Sequence, residues 1–348
     1  MASRVAVVII NYNSSEYIGD CLSSLKKITY PSANLTLVVV DNASIDNSLV
    51  IVRERFPQAV ILKNSKNLGF AEGNNMGMRY ALQHDFAYVY LLNQDTEVSP
   101  DFLTAAVEVA NRHPDAAAIQ SKLLLFADKT RVNSIGNEIH YLGFAFAGGH
   151  TTADRPLPVS EITYPSGAAV LLRAEALRQV GLFDADFFMY HEDVDLGWRF
   201  WLEGWRVLRA PDSVVYHKYQ FSRSISKWYY MERNRYLTIF QNYKIGTLLL
   251  LGPALLGLAV AMACYSLYAG WFRELARVYG YFLRPATWRN VVAKRRQIQA
   301  RRRISDRAIT QRFVSRIDFQ DVDSYLVRNV FNPATSLYWR AVKPLLHW

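Results

Sequence analysis

The sequence predicts an α/β domain built on a mostly parallel sheet, and three observations carry that expectation. Between residues 1 and 125, short continuous apolar runs alternate with helix-like stretches, the pattern of strands covered on both faces. Several of those runs end in clusters of Asn, Asp and Ser, where ligands sit in open α/β sheets. At 348 residues and 51% hydrophobic content, the chain is long and apolar enough for one large core plus an appendage, or for two ordinary domains.

The elements follow in order. VAVVII (5–10) precedes an amphipathic stretch at 17–25, and LTLVVV (35–40) precedes a helical 46–56. AVILK (59–63) leads to a helix at 71–83 and then FAYVYLLN (86–93); a helix at 100–112 leads into AAAIQS (116–121). Residues 126–175 differ, with strand-like pieces broken by Gly and Pro, such as HYLGFAFAGG and ITYPSGAAVLL. They read as a small antiparallel extension. From about 226 the composition turns aromatic, apolar and basic, so a boundary is expected between 1–225 and 226–348. No internal repeat is present.

Two cysteines, Cys21 and Cys264, argue against a disulfide framework and fit a reducing compartment. The N-terminus MASRVAVVIINYN has too short an apolar run for a signal peptide and reads as a buried first strand. The net charge of +10 is uneven: residues 284–307 hold nine Lys or Arg against the single acid Asp306. Such a run suits nucleic acid, anionic lipid or a solvated helix face. Its neighbour favours lipid. Residues 247–269, TLLLLGPALLGLAVAMACYSLYA, carry no charge and as a helix would be ~34 Å long, close to a bilayer core of about 30 Å. Lys227, Arg233, Arg235 and Lys244 precede it, and Arg273, Arg277 and the long run follow. A single span should show asymmetry between its flanks. The symmetry points to a re-entrant or in-plane element with both ends on one face, with a true span as the alternative. The partner expected is a membrane surface and not nucleic acid.

Three strand ends are polar: Asn11-Tyr12-Asn13, Asp41-Asn42-Ala43-Ser44 and Asn93-Gln94-Asp95-Thr96. Any one alone is explained by turn and cap chemistry. Three on one edge of one sheet favour a site. Further along, FFMYHEDVDLGWRF (187–200) sets His191, Glu192, Asp193 and Asp195 together ahead of a helical pattern. Acids at a helix start are also favoured by capping and the macrodipole, which accounts well for Asp195.

From Val5 to about Asn234 the chain resembles the inverting glycosyltransferases of family 2, with the GT-A fold. The motifs are VVIINYNS, VVVDNASIDNS, NLGFAEGNN, LLNQDTE, YPSGAAVLLR, VGLFDADFFMYHEDVDLGWR and VVYHKYQFSRS, in that order. The branch it most resembles is rhamnosyltransferase-like, bacterial and membrane-associated, building surface polysaccharides. The resemblance implies a catalytic domain at 1–225 with a helical, membrane-associating region at 226–348. It implies a nucleotide-sugar donor, a divalent metal (Mg or Mn), and a lipid-linked or glycan acceptor at the cytoplasmic face of the membrane.

It also implies roles. Tyr12 offers a stacking face for a base and Asp41 an acceptor for its imide, with Asn11, Asn67, Asn75, Asn93 and Gly167 placed among the substrate-binding positions. Asp95 falls at the metal-binding acidic motif, which here reads Asn-x-Asp, so Asp95 is its one charged ligand; His217 in VVYHK is the candidate second ligand. A divalent ion there stabilises charge gathering on a diphosphate leaving group. Asp193 corresponds to the base that takes the acceptor hydroxyl's proton, with Glu192 beside it. Apart from the resemblance, Arg223, Arg233 and Arg235 lie between the site motifs and the apolar segment and are expected to bind the diphosphate of the donor or of a polyprenyl-linked acceptor, since an arginine fork suits phosphate oxygens; Arg233 is counted among the substrate-binding residues. Two alternatives remain open. A sugar nucleotidyltransferase would normally carry a basic Gly-rich loop after its first strand, where this chain has NYNSSEY. A non-catalytic nucleotide-sugar-binding protein would not need Asp95 and Asp193.

Overall fold

The computed structural model describes residues 2–218, 225–318 and 325–348; Arg223 lies outside them. The first half alternates β1 (Val5–Asn11), α1 (Ile18–Leu25), β2 (Leu35–Asp41), α2 (Ser48–Arg55), β3 (Val60–Lys63), α3 (Gly69–Gln83), β4 (Tyr88–Leu92), β5 (Thr96–Val98), α4 (Phe102–Arg112) and β6 (Ala116–Leu125). The middle holds β7 (Val132–Ser134), β8 (Asn137–Ile139), β9 (Ala145–Ala147), β10 (Ser160–Glu161), β11 (Ala169–Arg173), α5 (Ala174–Val180), α6 (Glu192–Leu202) and β12 (Arg206–His217). Helices follow: α7 (Ile225–Asn242), α8 (Ile245–Tyr268), α9 (Phe272–Phe282), α10 (Pro285–Arg301), α11 (Asp306–Ile309) and α12 (Asn332–Val342).

One sheet runs β10-β12-β6-β11-β4-β1-β2-β3, with β5 paired to β12 and β7 to β6. The strands β1 to β4 are mutually parallel, and β12 is parallel to β6. Period-2 alternation sorts β1 between two layers. Val5, Val7 and Ile9 join α1, α2 and α4 on one face, while Ala6 and Val8 join α3, α5 and α6 on the other. On α3 the approach is so close that a Cβ at Gly77 would fall 2.3 Å from Val8 Cγ1.

Two features go beyond the expected layout. Within the antiparallel part, β11 is inserted mid-sheet, antiparallel to both β4 and β6. Its Ala169, Val170, Leu171 and Leu172 are buried, as a central strand requires. The hydrophobic core also continues across residue 225. Trp198 of α6 packs edge-on against Tyr243 just beyond α7, ring centroids 4.7 Å apart, and Tyr141 stacks on Trp339 of α12 at 4.4 Å. The C-terminal helices are part of one hydrophobic body with the sheet.

The apolar helix α8 packs against α9 and α12. At its start, Asp306 accepts from Lys244 N (2.8 Å) and from the Thr247 hydroxyl. Just past its end, Trp271 meets Trp228 of α7, centroids 4.4 Å apart. Between these anchors Leu249, Leu256, Val260 and Leu267 are exposed, Leu256 at 67%. The basic run divides in two. Lys294 pairs with Asp184 and Asp186, Arg302 with Asp306, and Arg295 donates to the carbonyls of Phe240 and Tyr243. Arg284, Arg289, Arg296 and Arg303 face outward. The run is therefore partly internal glue and partly a charged surface.

Candidate active site

The carboxyl ends of β1 and β2 lie in register, Asn11 opposite Asp41. Asn11 is 0% exposed, and its Nδ2 donates to Asp41 Oδ1 (2.9 Å), Ser44 Oγ (3.0 Å) and Ser48 Oγ (2.8 Å). It holds Asp41 in place through the first of these bonds. Tyr12 next to it is 46% exposed, an open ring at the mouth of the strand ends. Asn42, which sequence reasoning did not single out, ties the loop together. Its Nδ2 donates to Asn67 Oδ1 (3.1 Å) and the Gly69 carbonyl (2.9 Å), and its Oδ1 accepts from Asn64 Nδ2 (2.8 Å). The glycine is required: Gly69 has φ +80°, and a Cβ there would sit 2.3 Å from the Phe188 carbonyl oxygen. Asn75 also takes an internal place. Its Nδ2 donates to the Phe183 carbonyl (2.9 Å) and its Oδ1 accepts from Phe183 N (3.0 Å), so it braces the chain ahead of α6.

The second cluster forms where β5 pairs with β12, with Thr96 opposite His217. His217 Nε2 lies 3.4 Å from Asp95 Oδ1, and that oxygen is buried with no hydrogen-bond partner. On its other side, His217 Nδ1 is 2.9 Å from Asn133 Oδ1. An amide oxygen only accepts, so Nδ1 carries the proton and Nε2 presents its lone pair toward Asp95. An orphaned carboxylate oxygen beside an imidazole oriented by an amide is a donor set that fits a divalent cation. Among the described residues no three His, Cys, Asp or Glu side chains converge. A cation held here would take its remaining ligands from diphosphate and water. Asn133 sits on a three-residue strand and has no signal in the sequence.

The third cluster opens α6. Asp193 Oδ2 accepts from Gly167 N (3.1 Å) and Oδ1 from Val194 N (2.8 Å). Burial outweighs those two bonds and pushes the Asp193 carboxyl up to about 6. Glu192, buried with Oε2 lacking a partner, is raised well above the usual carboxylate range by burial and then by the Asp193 charge. His191 is pushed down to about 3 by burial, with Arg235 adding to it, and stays neutral. Asp195 does more than open a helix. It accepts from Arg199 Nε (2.7 Å) and Asn242 Nδ2 (2.8 Å), pinning α6 to α7.

Arg233 is 7% exposed, and its Nη2 donates to the carbonyls of Asp186 (2.7 Å) and Phe187 (2.9 Å). Arg235 grips Glu232 through Nε (2.8 Å) and Nη2 (2.7 Å). Arg233 donates through Nε and Nη2, and Arg235 through all three of its nitrogens, to oxygens of the protein itself. The other clusters meet at one turn. The Ala168 carbonyl accepts from Asn93 N (2.9 Å), and the neighbouring Gly167 N–H is the one that Asp193 holds.

This sheet, with polar strand ends and two carboxylate clusters across one turn, is the fold of the GT-A glycosyltransferases. The mannosyltransferase PcManGT from Pyrobaculum calidifontis, solved with GDP-Man and Mn2+, superposes with a TM-score of 0.53 at 18% identity, covering 81% of this chain and 87% of that one. S. aureus TarS 1–349 gives 0.51 at 16%, covering 98% and 90%. Residues 2–236 match the family model described as Glycosyltransferase like family 2, and the chain belongs to that family. It is a nucleotide-sugar-dependent glycosyltransferase, which sets the nucleotidyltransferase alternative aside. An N-acetylglucosaminyl-diphospho-decaprenol L-rhamnosyltransferase of Mycobacterium tuberculosis is 28% identical over 62% of this chain and 76% of its own length. A poly-beta-1,6-N-acetyl-D-glucosamine synthase of Staphylococcus epidermidis is 24% identical over 61% of this chain, which spans about half (49%) of that protein.

Proposed function

We propose that this protein moves one sugar from a nucleotide donor, with inversion, to a hydroxyl of a lipid-linked glycan at the cytoplasmic face of a bacterial membrane. The observation that carries the reading is the 166–168 turn, which links Asn93, two residues before Asp95, to Asp193 through the neighbouring residues Ala168 and Gly167. The acceptor hydroxyl oxygen forms the new bond to the anomeric carbon as the bond to the diphosphate breaks, and Asp193 Oδ takes its proton. Asp95 and His217 would hold a divalent cation, which supplies charge stabilisation to the leaving diphosphate. Tyr12 stacks on the base, and Asp41, fixed by Asn11, accepts from its edge. Glu192, held protonated by burial, donates to the acceptor or to Asp193. The likeness to an enzyme acting on a diphospho-decaprenol makes a polyprenyl-diphosphate glycan the acceptor class and rhamnose the first sugar to test.

The membrane reading rests on α8. Its two ends are fixed to α7 and α11, elements of the soluble body, so α8 lies flat and offers its exposed leucines to a lipid monolayer while Arg284, Arg289 and Arg296 meet anionic headgroups. A donor screen tests the whole reading: nucleotide sugars incubated with Mg2+ or Mn2+ and membrane extract, products read by mass. A mass increment of one deoxyhexose on a polyprenyl-linked glycan is expected. Absence of transfer from every donor would leave only a binding protein.

A further inference from the structure

The peptide that delivers the base is held in a conformation it would not keep by itself. Phe188, Tyr190 and His191 all have left-handed backbone, φ 64°, 66° and 68°, and none is a glycine. Two neighbouring residues of α7 grip this peptide. Asn234 Nδ2 lies within bonding distance of three consecutive-turn carbonyls, those of Phe187 (2.9 Å), Met189 (2.9 Å) and Tyr190 (2.7 Å). Its Oδ1 accepts from Arg233 Nε (2.8 Å) and Nη2 (2.7 Å), and Arg233 in turn holds the carbonyls of Asp186 and Phe187. The rings of Tyr229, Tyr230 and Tyr281 stand 5.1 to 5.5 Å from that guanidinium. From α10, Lys294 Nζ reaches Asp184 and Asp186, each at 2.5 Å.

We propose that Asn234, oriented by Arg233, is the positioning residue for the base: it clamps residues 187–190 so that α6 starts at Glu192 with Asp193 against the Gly167 N–H. Asn234 is 0% exposed and has no route to substrate, so it acts through the loop. The inference rests on the reading of Asp193 as base. The titratable groups around Asp193 are Glu192 beside it and Tyr190 and His191 on the clamped loop, with Arg235 of α7 behind His191; the facing turn presents the Gly167 N–H, and α3 presents Phe70. Releasing the clamp lets water reach Asp193 and returns it toward ordinary carboxylate behaviour.

The test compares the full-length protein with N234A, R233K and D193N, measuring kcat, KM for donor, the pH–rate profile and the stoichiometry of nucleotide binding. Asn234→Ala should lower kcat about 100-fold, leave donor KM within about twofold, and move the acidic limb of the profile to lower pH. If N234A does not fold, Arg233→Lys, which keeps the charge but loses the fork, should show the same limb movement. An unmoved limb, with activity lost only in proportion to binding-competent protein, overturns the clamp. Wild-type turnover by Asp193→Asn would instead remove the base itself, whereas an inactive D193N with an unmoved limb in N234A removes only the clamp.

Discussion

Asp95 and Asp193 sit on either side of one turn, and their surroundings are opposite. Asp193 has both oxygens occupied by backbone N–H groups, yet burial still raises it to about 6. Asp95 has an oxygen with no partner, 3.4 Å from an imidazole nitrogen. The first environment favours uptake of a proton and the second the arrival of a cation. Two carboxylates of one chain acquire separate chemistry through what encloses them.

The widest break in that comparison is Asp193→Asn, which should reduce transfer roughly 10³-fold while leaving nucleotide affinity near wild type by calorimetry. Removing the cation end should come next. Chelation should lower transfer, Mn2+ or Mg2+ should restore it, and Asp95→Ala should raise the metal concentration needed. Asn133→Ala acts one step further out, through His217, and should weaken metal affinity by about 10-fold, read from activity against metal concentration.

The pH profile sharpens the contrast further. Transfer should fall as pH drops below about 6, because Asp193, the proposed base, cannot accept the hydroxyl's proton once it is itself protonated. The stability consequence has the opposite sense. A carboxyl whose folded pKa lies above its unfolded value binds more protons when folded, so its penalty is absent below the unfolded value near 4 and grows as pH rises through about 6. Asp193→Asn should therefore raise Tm by a few degrees at pH 7.5 and by nothing at pH 4. The smallest change is in the donor-side loop. Gly69→Ala should cost about 2 kcal/mol in denaturant melts, from a strained φ and contact with the Phe188 carbonyl.

The parallel half of the sheet was legible because strands buried on both faces write themselves as continuous apolar runs, as in VAVVII and LTLVVV. The central place of β11 was not, since AVLLR specifies burial but not neighbours, and its pairing with β4 and β6 is long-range. The site was legible in residue type and not in direction. Asn11, Asn75 and Arg233 are polar residues of β1, α3 and α7, and only the fold shows that they bind the protein's own backbone and side chains. Asn42, Asn133 and Asn234 carry comparable duties, and nothing local separates an asparagine bracing a loop from one capping a turn.

The pairing of β5 with β12 has a consequence for assembly. Asp95 and His217 belong to segments far apart in sequence and meet only when Thr96 and His217 come into register. Closing so long a loop is slow, so the early strands β1 to β4 can settle while the cation end is still open. A divalent ion that binds only the closed arrangement would then act as a ligand of the folded state, favouring it by mass action. The strand pairing that closes the site and the ion that fits it would then be selected together.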